Sequence, residues 1–269
     1  MTTLPFSSTH RIEDLGGGWM RKDLSARGYL SGGRVRPAFV ENATREPAAY
    51  RYVLGPLGIG PRCRESGSEW VVLEWVDAPV LWQVAGAAVW EAVAGWAARL
   101  HESLADADTS GVPLLVYDAE LYDAWRHRGA HAGVAASILA AHERASELLV
   151  ELPSVILHGD LYASNILVSS QRAFTVWPID WELMARGPAV LDVAALTSGS
   201  WRPDQRQALV AQYRQRAGMR GKPDEWDRAL QAARLQICVQ WLGMPAGWEP
   251  PAWESHDWAA EANLLAARF

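Results

Sequence analysis

Residues Leu157–Glu182 read LHGDLYASNILVSSQRAFTVWPIDWE. Apolar runs at Val155–Leu157, Ile166–Val168 and Phe174–Ile179 have strand character, and polar residues stand only at their ends. The loop His158–Asn165 links the first two runs, and the third ends at Asp180. Strand ends are rigid and loops between them present side chains to a cleft. Asp160, Asn165 and Asp180 are therefore expected on one edge of a small hairpin. A hard divalent cation such as Mg²⁺ takes carboxylate and amide oxygens and keeps other positions for water and phosphate. Asn165 and Asp180 suit that role, while Asp160 is left to accept a proton from an attacking hydroxyl, the division of labour that phosphoryl transfer requires.

The spacing H-x-D-L-x-x-x-N matches the kinase catalytic-loop pattern with Gly159 in the Arg position, and Asp180-Trp181-Glu182 stands where protein kinases carry D-F-G. With HGDxxxxN followed by IDxE, and the run Gly187–Ala194 after it, the chain resembles the aminoglycoside phosphotransferase and choline kinase-like family. The resemblance covers the C-terminal half best. It implies an α+β, bilobal protein-kinase-like fold: a small β-rich N-lobe over 1–77, a hinge over 78–83, and a larger, mainly helical C-lobe over 84–269. It also implies ATP or GTP as co-substrate, Mg²⁺ as cofactor, and a hydroxyl-bearing small molecule as acceptor. The alternative to catalysis on this pattern is that Asp160 and Asn165 merely form turns.

Composition fits this reading. Apolar content of 49% with 21% charged residues is that of a globular domain, and 269 residues suffice for two lobes around a cleft. A net charge of −6 speaks against a nucleic-acid binder. Cys63 and Cys238 lack metal-ligand spacing and suggest a reducing, cytoplasmic setting. The N-terminus MTTLPFSSTH shows no signal-peptide pattern, and no run is long and apolar enough for a membrane span. A monomer or homodimer is expected.

Upstream, Gly16–Gly18 reads as a hairpin turn, either plain or covering phosphate, and Trp19-Met20 and Val35–Val40 are strand candidates. Thr44 is placed as the N-cap of a helix that Gly55 stops. The resemblance implies that a Glu of this helix pairs with a strand Lys touching the nucleotide phosphates. Glu46 fits the Glu. The strand before the helix holds no Lys, so Arg36 is the first choice for the phosphates, with Arg34 and Lys22 as the others. Trp70–Val76 is the clearest strand of the lobe, and Glu74, Trp75 and Val76 are expected to meet the adenine through their backbone, as the resemblance implies.

Helical periodicity covers Val84–Leu104 and Ala119–Leu152, with a break near Gly129–Gly133, and helices are expected over Pro203–Met219, Pro223–Leu242 and His256–Phe269. His101 reads as a surface or packing residue, and His127, Arg128 and His131 as a solvated face. His158 is expected to shape the catalytic loop. Glu182, two residues beyond Asp180 on an extended chain, should point the same way, and the resemblance implies that Asp192 caps the following helix and braces the loop. Trp241, Trp248, Trp253 and Trp258 either wall the acceptor pocket or pack helices.

The sequence thus points to a kinase that moves the γ-phosphate of ATP or GTP to a hydroxyl of an antibiotic-like acceptor of aminoglycoside or nucleoside type. The competing readings are a degenerate kinase-like binding protein and a kinase of a sugar, a choline-like amine or homoserine.

Overall fold

The computed structural model describes residues 10–27, 36–84, 86–169, 174–199, 201–218, 222–244 and 256–269. Gly32, Gly33, Arg34, Val35, Trp248 and Trp253 fall outside them.

The small N-terminal lobe is an antiparallel sheet with strand order β1-β2-β4-β3. Strands β1 (Arg11–Gly16) and β2 (Trp19–Asp23) form a hairpin whose turn, Gly16–Gly18, has positive φ throughout. β4 (Trp70–Glu74) pairs with β2 in the register Trp19↔Glu74 to Asp23↔Trp70, and β3 (Cys63–Ser66) pairs with its other edge. Alternation along β2 sends Arg21 outward over the Trp70 ring, at 4.6 Å, and buries Lys22.

One helical segment crosses the sheet: α1 (Arg45–Ala49), a π-helical turn over Tyr50–Leu54, and α2 (Gly55–Leu57). Ala49, Tyr50, Val53 and Leu54 pack with Val71 and Leu73 of β4. Thr44 does not cap this helix with its side chain, because its hydroxyl donates to Asn42 Oδ1 at 2.7 Å instead. Gly55 does not stop it either. Its φ of −62° is helical, and the chain leaves the helix at Gly58, φ 66°. Residues 37–40 make a turn rather than a strand, closed by the Val40 N–H on the Pro37 carbonyl at 3.0 Å. Proline has no N–H to give a sheet ladder.

The larger lobe carries the helices α3 (Ala87–Leu104), α4 (Ala119–His131), α5 (Ala136–Val150), α6 (Val190–Leu196), α7 (Pro203–Arg216), α8 (Pro223–Leu242) and α9 (Trp258–Ala266). α6 is buried along its whole length, and α8 packs against α4, α5, α6 and α9. Trp241 and Trp258 stack face to face, 4.9 Å apart and 6° from parallel, so they join α8 to α9.

Two further small sheets follow in the larger part of the chain. β5 (Leu115–Val116), β6 (Ser154–Leu157) and β9 (Ala185–Pro188) form one, in the order β5-β9-β6. β7 (Ile166–Ser169) and β8 (Thr175–Pro178) form the other, a hairpin. The three site strands therefore do not share one hairpin. β6 pairs with β9, Leu157↔Ala185, and only β7 and β8 pair with each other. Ile156 and Leu157 of β6, on alternate faces of the strand, are both buried. The lobes share apolar contacts: Leu100, Leu104, Ile156, Trp181 and Met184 of the large lobe pack with the small-lobe helix.

Candidate active site

The loop His158–Asn165 leaves β6 and is held by α6. Asp192, in the first turn of α6 and 1% exposed, accepts the His158 N–H at 2.8 Å and the Gly159 N–H at 2.9 Å. His101 donates to the same carboxylate from Nε2 at 3.0 Å, and its Nδ1 pairs with the Tyr213 hydroxyl at 2.7 Å. His101, expected to be a surface or packing residue, is thus a buried link between α3, α6 and α7. Asp192 braces the loop but does not cap α6, whose N-cap residue is Ala189 and which has no side-chain cap. Burial pushes the Asp192 carboxyl up, but the bond from His101 and the charges and N–H groups around it outweigh burial and hold it below the usual carboxylate range.

His158 is fully buried, with its ring 4.3 Å from Trp181. Nε2 lies 3.0 Å from the Ile179 carbonyl, which can only accept, so Nε2 carries the proton and Nδ1 accepts from the Asp160 N–H at 3.3 Å. Burial lowers the affinity of this ring for a second proton. A neutral ring bonded on both nitrogens shapes the loop and is not placed to act as a base. Gly159 stands in the Arg position of kinases for a steric reason: its φ is 81°, and a Cβ there would lie 1.9 Å from the Leu183 carbonyl oxygen.

At the open end of the β7–β8 hairpin, the Ile179 N–H bonds the Asn165 carbonyl at 2.9 Å, so Asn165 and Asp180 leave the same hairpin end. The Asn165 side-chain amide donates from Nδ2 to the Asp160 carbonyl at 2.8 Å and to Asp160 Oδ2 at 3.2 Å. Its own carbonyl oxygen therefore turns away from Asp160. Asp180 is the non-glycine residue with positive φ among the described residues, at 69°. Aspartate tolerates this region better than most residues, and such backbone strain concentrates at functional sites. The chain then turns through Trp181–Leu183 instead of continuing extended. Asp180 and Glu182 do not point the same way by alternation; this turn brings both to one cation.

That cation is Lys22. Its Nζ lies 2.7 Å from Glu46 Oε2, 2.5 Å from Asp180 Oδ1 and 2.8 Å from Glu182 Oε1. Glu46 thus pairs with the strand Lys and not with Arg36. Arg36 bridges two other acids, with Nη2 3.1 Å from Asp160 Oδ2 and Nη1 3.3 Å from Glu182 Oε2. His10 Nδ1 adds a contact to Glu182 Oε1 at 3.0 Å. Burial lowers the Lys22 pKa, but Asp180, Glu182 and Glu46 together raise it well above normal. Glu182, faced by Lys22 and Arg36, is held ionised in spite of burial. Burial and the Glu182 charge push the Asp180 carboxyl up to about 8. One chain of ion pairs therefore runs from Asp160 through Arg36, Glu182 and Lys22 to Asp180 and Glu46.

Oxygens of Glu46, Asp180 and Glu182 lie within 4.8 Å of one another. An all-oxygen donor set with no sulfur or imidazole among these three acids suits a hard cation.

Arg45, which the sequence reading passed over, bolts the small-lobe helix to this loop. Nη1 donates to the Glu182 carbonyl at 2.5 Å and the Val40 carbonyl at 2.9 Å, and Nε to the Pro113 carbonyl at 2.7 Å. Burial lowers its pKa to about 10. Lys22, named from the sequence only as an alternative to Arg36, could have been ranked first from the pattern Met20-Arg21-Lys22, which puts a lysine on the inward face of a strand. Arg45 carries no such signal. Two of its three partners, the Pro113 and Glu182 carbonyls, are distant in sequence.

Glu74, Trp75 and Val76 stand at the far end of the β2–β4 ladder, since Trp19 pairs with Glu74 where Lys22 pairs with Val71. The Glu74 N–H is taken by the Arg62 carbonyl at 2.8 Å and the Trp75 N–H by the Gly18 carbonyl at 2.8 Å. The Gly16–Gly18 turn therefore adjoins this end and not Lys22. The Glu74 carboxylate pairs with Arg62 at 2.9 Å.

A small sheet-rich lobe carrying a buried Lys–Glu pair, joined through Lys22–Asp180 and Arg36–Asp160 to a larger helical lobe, defines a protein-kinase-like fold. The chain belongs to the phosphotransferase enzyme family, whose sequence profile matches residues 43–231. It is a phosphotransferase. Among curated proteins none matches it. Solved structures share its fold at low identity. The choline kinase LicA from Streptococcus pneumoniae superposes with a TM-score of 0.70 at 13% identity, over 99% of this chain and 92% of LicA. The ethanolamine kinase from Plasmodium vivax gives 0.61 at 12% identity, over 93% and 75% of the two chains. The aminoglycoside phosphotransferase APH(3'')-Id from Streptomyces rimosus, in complex with ADP and streptomycin, gives 0.56 at 19% identity, over 86% and 94%.

Proposed function

We propose that this protein is a small-molecule kinase that transfers the γ-phosphate of ATP or GTP to a hydroxyl of an antibiotic-like acceptor of aminoglycoside or nucleoside type. The observation that carries the reading is the union of Asp160, on a braced loop, with the buried Lys22–Glu46–Asp180 cluster. Lys22, fixed by Glu46, holds the nucleotide phosphates. The backbone around Glu74, Trp75 and Val76 meets the base, with 78–83 as hinge; the Glu74 and Trp75 N–H groups and the Val76 carbonyl already have backbone partners, the last taking the Ala78 N–H at 3.0 Å. Asn165 and Asp180 would hold Mg²⁺, which supplies charge neutralisation for the phosphates when bound.

Asp160 orients the acceptor hydroxyl and takes its proton as the new P–O bond forms. His158 and Asp192 keep that loop in shape, and Glu182 fixes Lys22 and Arg36. The work of such a site is positioning and electrostatics rather than covalent chemistry. A degenerate, non-catalytic binding protein is less well supported, because the Lys–Glu pair, whose absence would mark degeneracy, is intact at 2.7 Å.

Transfer of radiolabelled γ-phosphate to a panel of aminoglycosides, nucleoside antibiotics, sugars, choline-like amines and homoserine tests the reading. Label on an aminoglycoside or nucleoside supports it. Label confined to the metabolites moves the acceptor class, and no transfer by wild type where Asp160→Ala is equally silent removes the catalytic claim.

A further inference from the structure

The sequence reading gave Arg36 to the nucleotide phosphates, yet it rests on carboxylates. Its side chain is 7% exposed and spans the lobes: Nη2 touches Asp160 Oδ2 and Nη1 touches Glu182 Oε2. A buried ion pair is a poor source of stability, since the cost of dehydrating both partners offsets their attraction. Holding the lobes together does not require it either, because Arg45 already ties the small-lobe helix to the Glu182 backbone. The position of Arg36 calls for a different explanation.

We propose that Arg36 is a catalytic residue of the transfer step: in the nucleotide-free molecule its guanidinium covers Asp160, and with nucleotide bound it passes to the γ-phosphate. This rests on the kinase reading above. The geometry is direct. A base holds its hydroxyl at about 2.7 Å, and a poised nucleophile stands roughly 3–3.5 Å from the atom it attacks. A donor 3.1 Å from the base oxygen is therefore one small side-chain movement from the phosphoryl oxygens.

Arg36 and Glu182 also line a pocket of about 160 Å³, with His10, Leu24 and Asn42. Charge points the same way. Glu46, Asp160, Asp180 and Glu182 face Lys22 and Arg36, and Lys22 already serves three of the acids. A planar guanidinium with paired donors suits a phosphoryl group better than an ammonium does. In the step itself the acceptor oxygen bonds to the γ-phosphorus and the bond from that phosphorus to the β–γ bridging oxygen breaks. The hydroxyl proton goes to Asp160, and nucleoside diphosphate leaves. Arg36 neutralises charge on the oxygens of the phosphoryl group in transit, and its departure from Asp160 uncovers the base.

The test compares equilibrium binding of nucleoside diphosphate and of a non-hydrolysable triphosphate analogue to wild type, Arg36→Ala and Arg36→Lys, alongside turnover. Wild type should prefer the triphosphate. Arg36→Ala should lose about tenfold of that preference, with diphosphate binding held within about twofold. Turnover should fall by about 10²–10³-fold, as for loss of one preorganised donor, with Arg36→Lys between. A variant that keeps the wild-type preference, or turns over faster than wild type, overturns the proposal; faster turnover would make Arg36 only a plug on the base. If Arg36→Ala does not fold, Arg36→Lys carries the same comparison, and an unchanged preference again refutes the idea. Failure of wild type to bind either nucleotide refutes the kinase reading itself, a separate outcome.

Discussion

Replacing Asp192 by Ala should unfold the catalytic loop's support at a calculable cost. Its carboxylate receives three donors, the His158 N–H at 2.8 Å, the Gly159 N–H at 2.9 Å and His101 Nε2 at 3.0 Å, in a site 1% exposed. Hydrogen bonds to a charged partner contribute roughly 1.5–3 kcal/mol each, and the substitution strands two backbone donors away from water. Breaking a buried charged contact typically costs about 3–5 kcal/mol, a large share of the ~5–15 kcal/mol that holds a domain folded. In a chain of this size each kcal/mol moves Tm by roughly 2–4 °C, so the expected drop is on the order of 10 °C.

Asn is no rescue, because its amide NH₂ would face one of the same donors. The pH dependence has a definite sign. The folded Asp192 pKa is lowered, so its contribution is present above the unfolded value of about 4 and lost as pH falls through the folded one. Thermal and urea unfolding of wild type and Asp192→Ala at several pH values should show a large gap at pH 7 that narrows below pH 4. A variant melting within about 2 °C of wild type at pH 7 would refute the reasoning, as would a gap that ignores pH.

Asp160→Asn should cut turnover by about 10²–10⁴-fold while Tm shifts by only a few degrees, measured by steady-state kinetics and calorimetry. Lys22→Met leaves Glu46, Asp180 and Glu182 without their shared cation; titration calorimetry should show nucleotide affinity lowered at least about tenfold, and scanning calorimetry a lower Tm. Gly159→Ala forces a Cβ to 1.9 Å from the Leu183 carbonyl at a φ of 81°, so both stability and turnover should fall, the former by about 1–3 kcal/mol or more in urea titrations.

The residues of HGDLYASN and IDWE, with their strand-ending positions, were enough to give the kinase-like fold and the phosphotransferase chemistry. Those signals are local: strand periodicity and motif spacing act within a few residues of one another. Pairing across the chain was not legible. That β6 joins β9 and not the β7–β8 hairpin depends on which faces the helices cover. The bond from Lys22 to Glu46, the approach of Arg36 to Asp160 and the anchoring of Glu182 by Arg45 span 24, 124 and 137 residues of sequence. Two arginines, Arg34 and Arg36, and one lysine, Lys22, compete on paper for one set of phosphates. Only packing of the lobes, which fixes where each side chain is buried, decides which cation meets which acid.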